Sequence, residues 1–184
     1  MNSLNGKTVV VTGGFGALGW ATARVLAERG ARIALIARSG RSGALSVPFD
    51  HTIVLTGVDL ADAHAARAAL DQAAAQLGGL DALVNIAGGF AWETIDGGSI
   101  DTWQSMFDIN VKTALNASKA ALAHLGARSG GCIVNVGALA ALKAASGMGA
   151  YAASKAGLMR MTEALAEEWK DLGVTVNAVL PSII

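Results

Sequence analysis

Tyr151 and Lys155 stand four residues apart where a glycine-containing loop, Gly147 to Gly149, passes into a helical run. On a helix, residues i and i+4 stack on one face, which sets a phenol beside an ammonium. A free phenol titrates near pH ~10. A neighbouring cation favours the phenolate and lowers that value, toward the range where a general acid or base works at neutral pH. Two unrelated residues on a solvated helix face would read the same way, so the pair needs support from elsewhere in the chain.

That support starts near the N-terminus. The β-branched run Lys7 to Thr12 ends in Gly13, Gly14, Gly16 and Gly19, and Trp20 to Arg29 then shows helical spacing up to Gly30. Strand, glycine turn and helix bring backbone N–H groups and a helix N-terminus together, the ingredients of a pyrophosphate site. Glycine tolerates positive φ and lets a diphosphate approach the backbone. Ala31 to Ala37 reads as a buried strand and completes the βαβ context the turn requires. An acidic residue after that strand would bond the ribose 2′-hydroxyl of NAD and repel a 2′-phosphate. Here the strand ends in Arg38, whose guanidinium suits phosphate. The expected cofactor is therefore NADP, with NAD possible; the alternative for Arg38 is a solvated charge.

The elements that must position these residues follow in order. Residues 39–52 form a Gly/Ser-containing loop with Pro48. His51 to Val58 reads as a third strand. Asp59, with Leu60, lies at its end, where an adenine ring would sit, and can also cap the next helix, Ala61 to Leu77. Leu80 to Gly89 is a fourth strand entering a second glycine turn, and Phe90 to Gly98 a loop whose Trp92 is a pocket wall or a core plug. Ser99 or Asp101 can cap a long helix, Ile100 to Leu125. It contains Asn110, unfavourable in mid-helix unless solvated or employed. Gly130 to Val136 is a fifth strand, the helix of Tyr151 continues to Leu172, and Val174 to Leu180 is a sixth strand ending at Pro181. This alternation predicts an α/β, Rossmann-type doubly wound parallel sheet with helices on both faces, built as a single domain over residues 1–184.

Composition narrows the function. The 184 residues are 53% hydrophobic and 15% charged with zero formal net charge. That suits a soluble protein with an extensive core and argues against nucleic acid or an anionic membrane as partner. No apolar run approaches the ~18 residues of a membrane span, and the strand near the N-terminus leaves no room for a signal peptide. Cys132 is the only cysteine, set in a buried-type strand; it excludes an intrachain disulfide and suggests a cytoplasmic setting. His51, His64 and His124 are isolated, so no metal site is expected.

In this order and spacing, the pieces Thr12-Gly13-x-x-x-Ala17-x-Gly19, Asp59, Asn85-Ile86-Ala87-Gly88, Asn110, Tyr151-x-x-x-Lys155 and Pro181-Ser182 resemble the short-chain dehydrogenase/reductase family over almost the whole chain. The resemblance implies an NAD(P)-dependent oxidoreductase acting on a small carbonyl, imine or quinonoid substrate. It implies cofactor contacts at Thr12, Gly13, Phe15, Gly16, Leu18 and Gly19, then at Arg38, Asp59, Leu60, Asn85, Ala87 and Gly88. Pro181 and Ile184 would hold the carboxamide end. Tyr151 becomes the proton donor, Lys155 binds the nicotinamide ribose and lowers the Tyr151 pKa, and Asn110 holds a water linking Lys155 to solvent.

Three departures qualify what is carried over. Ala17 stands where the family turn has its middle glycine. Ala138, thirteen residues before Tyr151, stands where the family has a catalytic serine, and loss of such a donor commonly costs ~10²–10³ in rate. Ser146 is the candidate substitute. The chain also stops at Ile184, before the family's last helix and strand, which reads as a C-terminal truncation. The absent serine and Ala87 to Phe90 are similar to the dihydropteridine-reductase-like branch. A nucleotide-binding homologue with weak or no catalysis is the alternative reading. Finally, the helices 100–125 and 150–172 look more apolar than one sheet face needs (Leu115, Ala121, Leu122, Leu158, Met159, Leu165). With the family's habit of pairing these helices, this predicts a homodimer or homotetramer.

Overall fold

The computed structural model describes residues 3–39, 52–126 and 130–182. Six strands form one parallel sheet: β1 Thr8–Thr12, β2 Arg32–Ile36, β3 Thr52–Leu55, β4 Ala82–Asn85, β5 Cys132–Val136 and β6 Thr175–Val179. Their spatial order is β3-β2-β1-β4-β5-β6. The sequence runs outward from β1 to one edge and then back across to the other, so the order reverses between β1 and β4. A crevice opens at that point beyond the carboxyl ends of the strands. The register Thr12 opposite Ile36 and Asn85 brings those ends level.

β1 and β2 are aliphatic, β-branched-rich runs buried along almost their whole length, as parallel strands between helices are, whereas the edge strands β3 and β6 stay partly exposed. One face packs on α2 Ala63–Leu77, α4 Thr113–Leu125 and α5 Gly149–Trp169. Its core joins Val10, Leu70, Leu83, Ala117, Ile133 and Leu165. The other face carries α1 Ala17–Glu28 over Val9, Val11, Ile33 and Leu35. Beside α1, toward β6, it opens into an apolar groove of about 570 Å³ lined by Val84, Val134, Val136, Val179 and Pro181 among others.

The expected elements are all present, with changed ends. α1 starts at Ala17 rather than Trp20, because Gly16 takes the extended N-cap conformation. β3 is shorter than the expected 51–58, and most of the loop 39–52 lies outside the described residues. α2 is capped by Asp62, whose carboxylate accepts from the N–H groups of His64 and Ala65 at 2.7 and 3.0 Å. Asp59 instead accepts from Ala61 N–H at 2.9 Å, one turn earlier.

The long helix at 100–125 is three pieces. α3, Ile100–Phe107, is capped by Ser99; a π-turn, Asp108–Lys112, follows; α4 completes the run. The widened turn admits one extra residue per turn and lets a buried polar side chain leave the helical ladder, a device found often at functional sites. The apolar surplus expected on the outer faces is largely absorbed within the chain. Ala121, Leu158 and Leu165 are buried, and Leu122 packs against the main core. Among the described residues no helix is long and apolar enough to cross a membrane.

Candidate active site

β1 delivers the glycine turn to the crevice, and its shape follows from two close approaches. Gly13 sits at φ 66°, donates its N–H to Ile36 O at 2.8 Å, and has Ala87 N only 2.8 Å from where a Cβ would be. A Cβ on Gly19 would lie 2.2 Å from Gly13 O, so α1 can press onto its own entry turn only without a side chain there. Together these place the α1 N-terminus at the crevice with unpaired N–H groups facing it, which favours an anion. Ala17, exposed at the start of α1, adds no clash to this turn.

The crevice has a volume of about 1120 Å³. Most of the expected binding residues line it: Gly13, Phe15, Gly16, Leu18 and Gly19 from the turn; Arg38, Asp59 and Leu60 beyond β2 and β3; Ala87 and Gly88 after β4; and Tyr151 and Lys155 on α5. Three others stand elsewhere. Thr12 is buried beneath the surface, and its hydroxyl accepts from Ile86 and Ala87 N–H at 3.1 and 3.2 Å, tying β1 to the β4 turn. Asn85 is buried between β4 and β5, donating to Ser118 Oγ at 3.1 Å and Asn135 Oδ1 at 2.9 Å. Asn135 passes the chain on to Thr162 at 2.9 Å. These side chains hold the wall and do not form its surface. Pro181 lines the groove on the opposite face, while its carbonyl accepts from Leu139 N–H at 2.9 Å. Ile184 lies outside the described residues.

Lys155 is buried, and its ammonium donates to Val136 O at 2.8 Å. Burial lowers its pKa from 10.5 to about 8. Asn110, fully buried on the π-turn, accepts from Gly89 N–H at 3.0 Å and donates to Gly89 O and Ser154 Oγ, each at 3.0 Å. Gly88 lies over both: a Cβ there would be 2.7 Å from Asn110 Oδ1 and 3.5 Å from Lys155 Nζ. The second glycine turn is thus the lid of a polar cluster, and only a residue without a side chain closes it.

The Tyr151 ring lines the crevice and meets Phe90 edge to face, centroids 4.9 Å apart at 81°. Burial pushes its phenol above the usual 10.0. This differs from the lowering expected of a neighbouring ammonium. Lys155 spends its hydrogen bond on β5, and desolvation of the phenolate dominates in the protein alone. A phenol held protonated at neutral pH can donate a proton.

Ala138 follows β5 in extended conformation and is buried, with no polar atom to offer. Ser146 is exposed on a turn and is not part of the crevice lining. Sequence reasoning missed the polar chain Ser118–Asn85–Asn135–Thr162 and the hydrogen bond from Asn110 to Ser154. The signal was available: an asparagine at the same register position of two adjacent apolar strands, Asn85 opposite Asn135, is costly to bury unless the two satisfy each other.

The sequence model described as short chain dehydrogenase matches residues 7–184. Among known proteins, 2-(S)-hydroxypropyl-CoM dehydrogenase 3 of Xanthobacter autotrophicus is 33% identical over an alignment covering 100% of this chain and 73% of the relative. Inactive 2-(S)-hydroxypropyl-CoM dehydrogenase 2 of the same organism is 34% identical, covering 88% and 71%. A short chain dehydrogenase from Burkholderia cenocepacia, solved in complex with NADP, is 38% identical with a TM-score of 0.86, covering 98% of this chain and 75% of that one.

Proposed function

The chain belongs to the short-chain dehydrogenase family of NAD(P)-dependent oxidoreductases, and from that premise we propose that it reduces a small carbonyl, imine or quinonoid substrate with Tyr151 as proton donor and NADP(H) as partner. The residues fit a dinucleotide: glycines whose Cβ positions are blocked stand where a diphosphate would approach, and the crevice volume matches a ligand of that class. When bound, the dinucleotide supplies the hydride. The α1 N-terminus and Gly13 to Gly19 would hold the diphosphate, Arg38 the 2′-phosphate, and Asp59 and Leu60 would flank the base. Lys155 holds the ribose of the reactive end.

Tyr151 Oη carries the proton that the substrate oxygen or nitrogen takes up as carbon gains hydride. The phenolate left behind is stabilised by the Lys155 ammonium and recovers a proton from solvent. Gly88 and Phe90 line the β4 side of the site. Residues 1–184 act as a single Rossmann domain, working in the cytoplasm as a homodimer or homotetramer through α4 and α5.

The observation that carries this reading is that Tyr151 and Lys155 line the same crevice as the glycine turn. NADPH binding followed by fluorescence, and NADPH oxidation against a panel of ketones and quinonoid dihydropterin, test it. A second reading rests on Ala138: with no hydroxyl to polarise the substrate, the protein binds the dinucleotide and turns over weakly or not at all. Tight NADPH binding without oxidation on any substrate selects that reading, and absence of NADPH binding overturns both.

A further inference from the structure

Large apolar side chains normally scatter over a protein surface, and a cluster of them marks a place where something binds. In this chain several gather on the two loops that flank Tyr151. Phe90 and Trp92, on the loop after β4, are 55% and 63% exposed; Leu139 and Leu142, on the loop after β5, are 47% and 67% exposed. The two loops are tied together. Glu93 N–H donates to Gly147 O at 2.8 Å, Glu93 and Met148 form a parallel bridge, and the Trp92 ring covers Gly147 closely enough to exclude a Cβ. These contacts hold the loop of Phe90 against the start of α5, two residues before Tyr151. Phe90 therefore meets the Tyr151 ring edge to face, lines the crevice beside it and leaves more than half its surface exposed.

The charges around the crevice narrow the ligand further. Among the described residues that line it, the cations are Arg38 at the end of β2 and the buried Lys155, while the acids are Asp59, Asp101 on α3 and Asp108 at the start of the π-turn. Among the described residues, no lining cation remains to receive a carboxylate or sulfonate on the substrate.

We propose that Phe90 is a specificity-determining residue, selecting neutral carbonyl or alcohol substrates whose aromatic or cyclic apolar group packs on its exposed face while the reacting oxygen meets Tyr151. The inference rests on the hydride-transfer reading for its chemistry but not for its binding pattern. Ring-on-ring contact adds to simple area burial and favours aryl over alkyl groups of similar size.

The test is calorimetric titration of acetophenone, 2-butanone and 4-acetylbenzoate into wild-type protein, Phe90→Ala, Phe90→Leu and Phe90→Trp, each with and without NADPH. The wild type is expected to bind acetophenone about tenfold or more tightly than 2-butanone, and 4-acetylbenzoate more weakly than acetophenone. Phe90→Ala is expected to erase the aryl preference, Phe90→Leu to reduce it and Phe90→Trp to keep it. An undiminished aryl preference in both Phe90→Ala and Phe90→Leu, or tighter binding of the anionic ketone by wild type, overturns the proposal. If Phe90→Ala fails to fold, Phe90→Leu against Phe90→Trp decides. If the aryl preference depends on Phe90 but no ketone oxidises NADPH, the apolar wall stands and the hydride-transfer reading falls.

Discussion

The ammonium of Lys155 donates to the carbonyl of Val136 at 2.8 Å, which fastens α5 to the carboxyl end of β5 at the floor of the crevice. A lysine in this position is a structural peg that also lines the crevice with Tyr151. Its depressed pKa, about 8 against an ordinary 10.5, gives the sign of a measurable effect. The unfolded chain keeps this proton to higher pH than the folded one. Stability therefore carries a penalty below pH 8 that is relieved as pH rises from about 8 to 10.5. Denaturant midpoints of wild type and Lys155→Met across that window are expected to converge or diverge accordingly, with the rise present only in wild type. NADPH affinity is expected to fall above pH 8 in wild type and to be weak and flat in the variant.

Tyr151→Phe removes one oxygen from a half-buried ring and keeps the edge contact to Phe90. Turnover is expected to drop by ~10²–10⁴, the usual worth of a positioned general acid. NADPH affinity measured by fluorescence is expected to stay the same. Equal turnover in the two proteins would remove Tyr151 from the chemistry.

Ala138→Ser restores a hydroxyl to the loop between β5 and α5. The position is buried and extended, so one added oxygen is a small steric demand. Turnover of carbonyl substrates is expected to rise by up to ~10², as an oxygen-polarising donor is gained. A rate unchanged by the substitution would mean that this site does not face the reacting oxygen.

Asn110→Ala strips both bonds to Gly89 and the bond to Ser154. Leaving buried backbone groups unpaired costs about 2–4 kcal/mol in all, readable as a lowered denaturation midpoint. Because Gly88 and Gly89 form the lid over Lys155, NADPH affinity is expected to fall with it. A neutral effect on both would mean that the π-turn holds its shape without this side chain.

Arg38→Asp replaces a phosphate-matching guanidinium at the end of β2 with a carboxylate that repels a 2′-phosphate. The ratio of NADPH to NADH affinity is expected to fall by about tenfold or more. An unchanged ratio would leave Arg38 as a solvated charge.

Much of this protein could be read in one dimension. The glycine spacing, the Tyr151–Lys155 interval and the alternation of apolar runs with helical periods are local patterns, and local patterns survive in sequence because backbone conformation and helical stacking act over a few residues. The element ends were less legible. Gly16 taking the extended cap conformation decided where α1 begins, and the Asp62 carboxylate, not Asp59, found the free N–H groups of α2. The Asn110 break was visible only as a misplaced polar residue. Its partners, Gly89 and Ser154, lie twenty-one and forty-four residues away.

The sequence by itself determined the doubly wound sheet and twelve of the residues that line the crevice. Tertiary structure alone decided which polar residues face the crevice and which hold its wall. It turned Thr12 and Asn85 inward to satisfy buried partners, and committed Lys155 to Val136 rather than to Tyr151. It also set Phe90 against the phenol, and left that phenol, desolvated, above its ordinary pKa. The physical reason is common to all four. A motif records which groups a chain possesses, but the direction each one points is settled by which distant partner can meet its hydrogen bonds, or its apolar surface, once water is excluded.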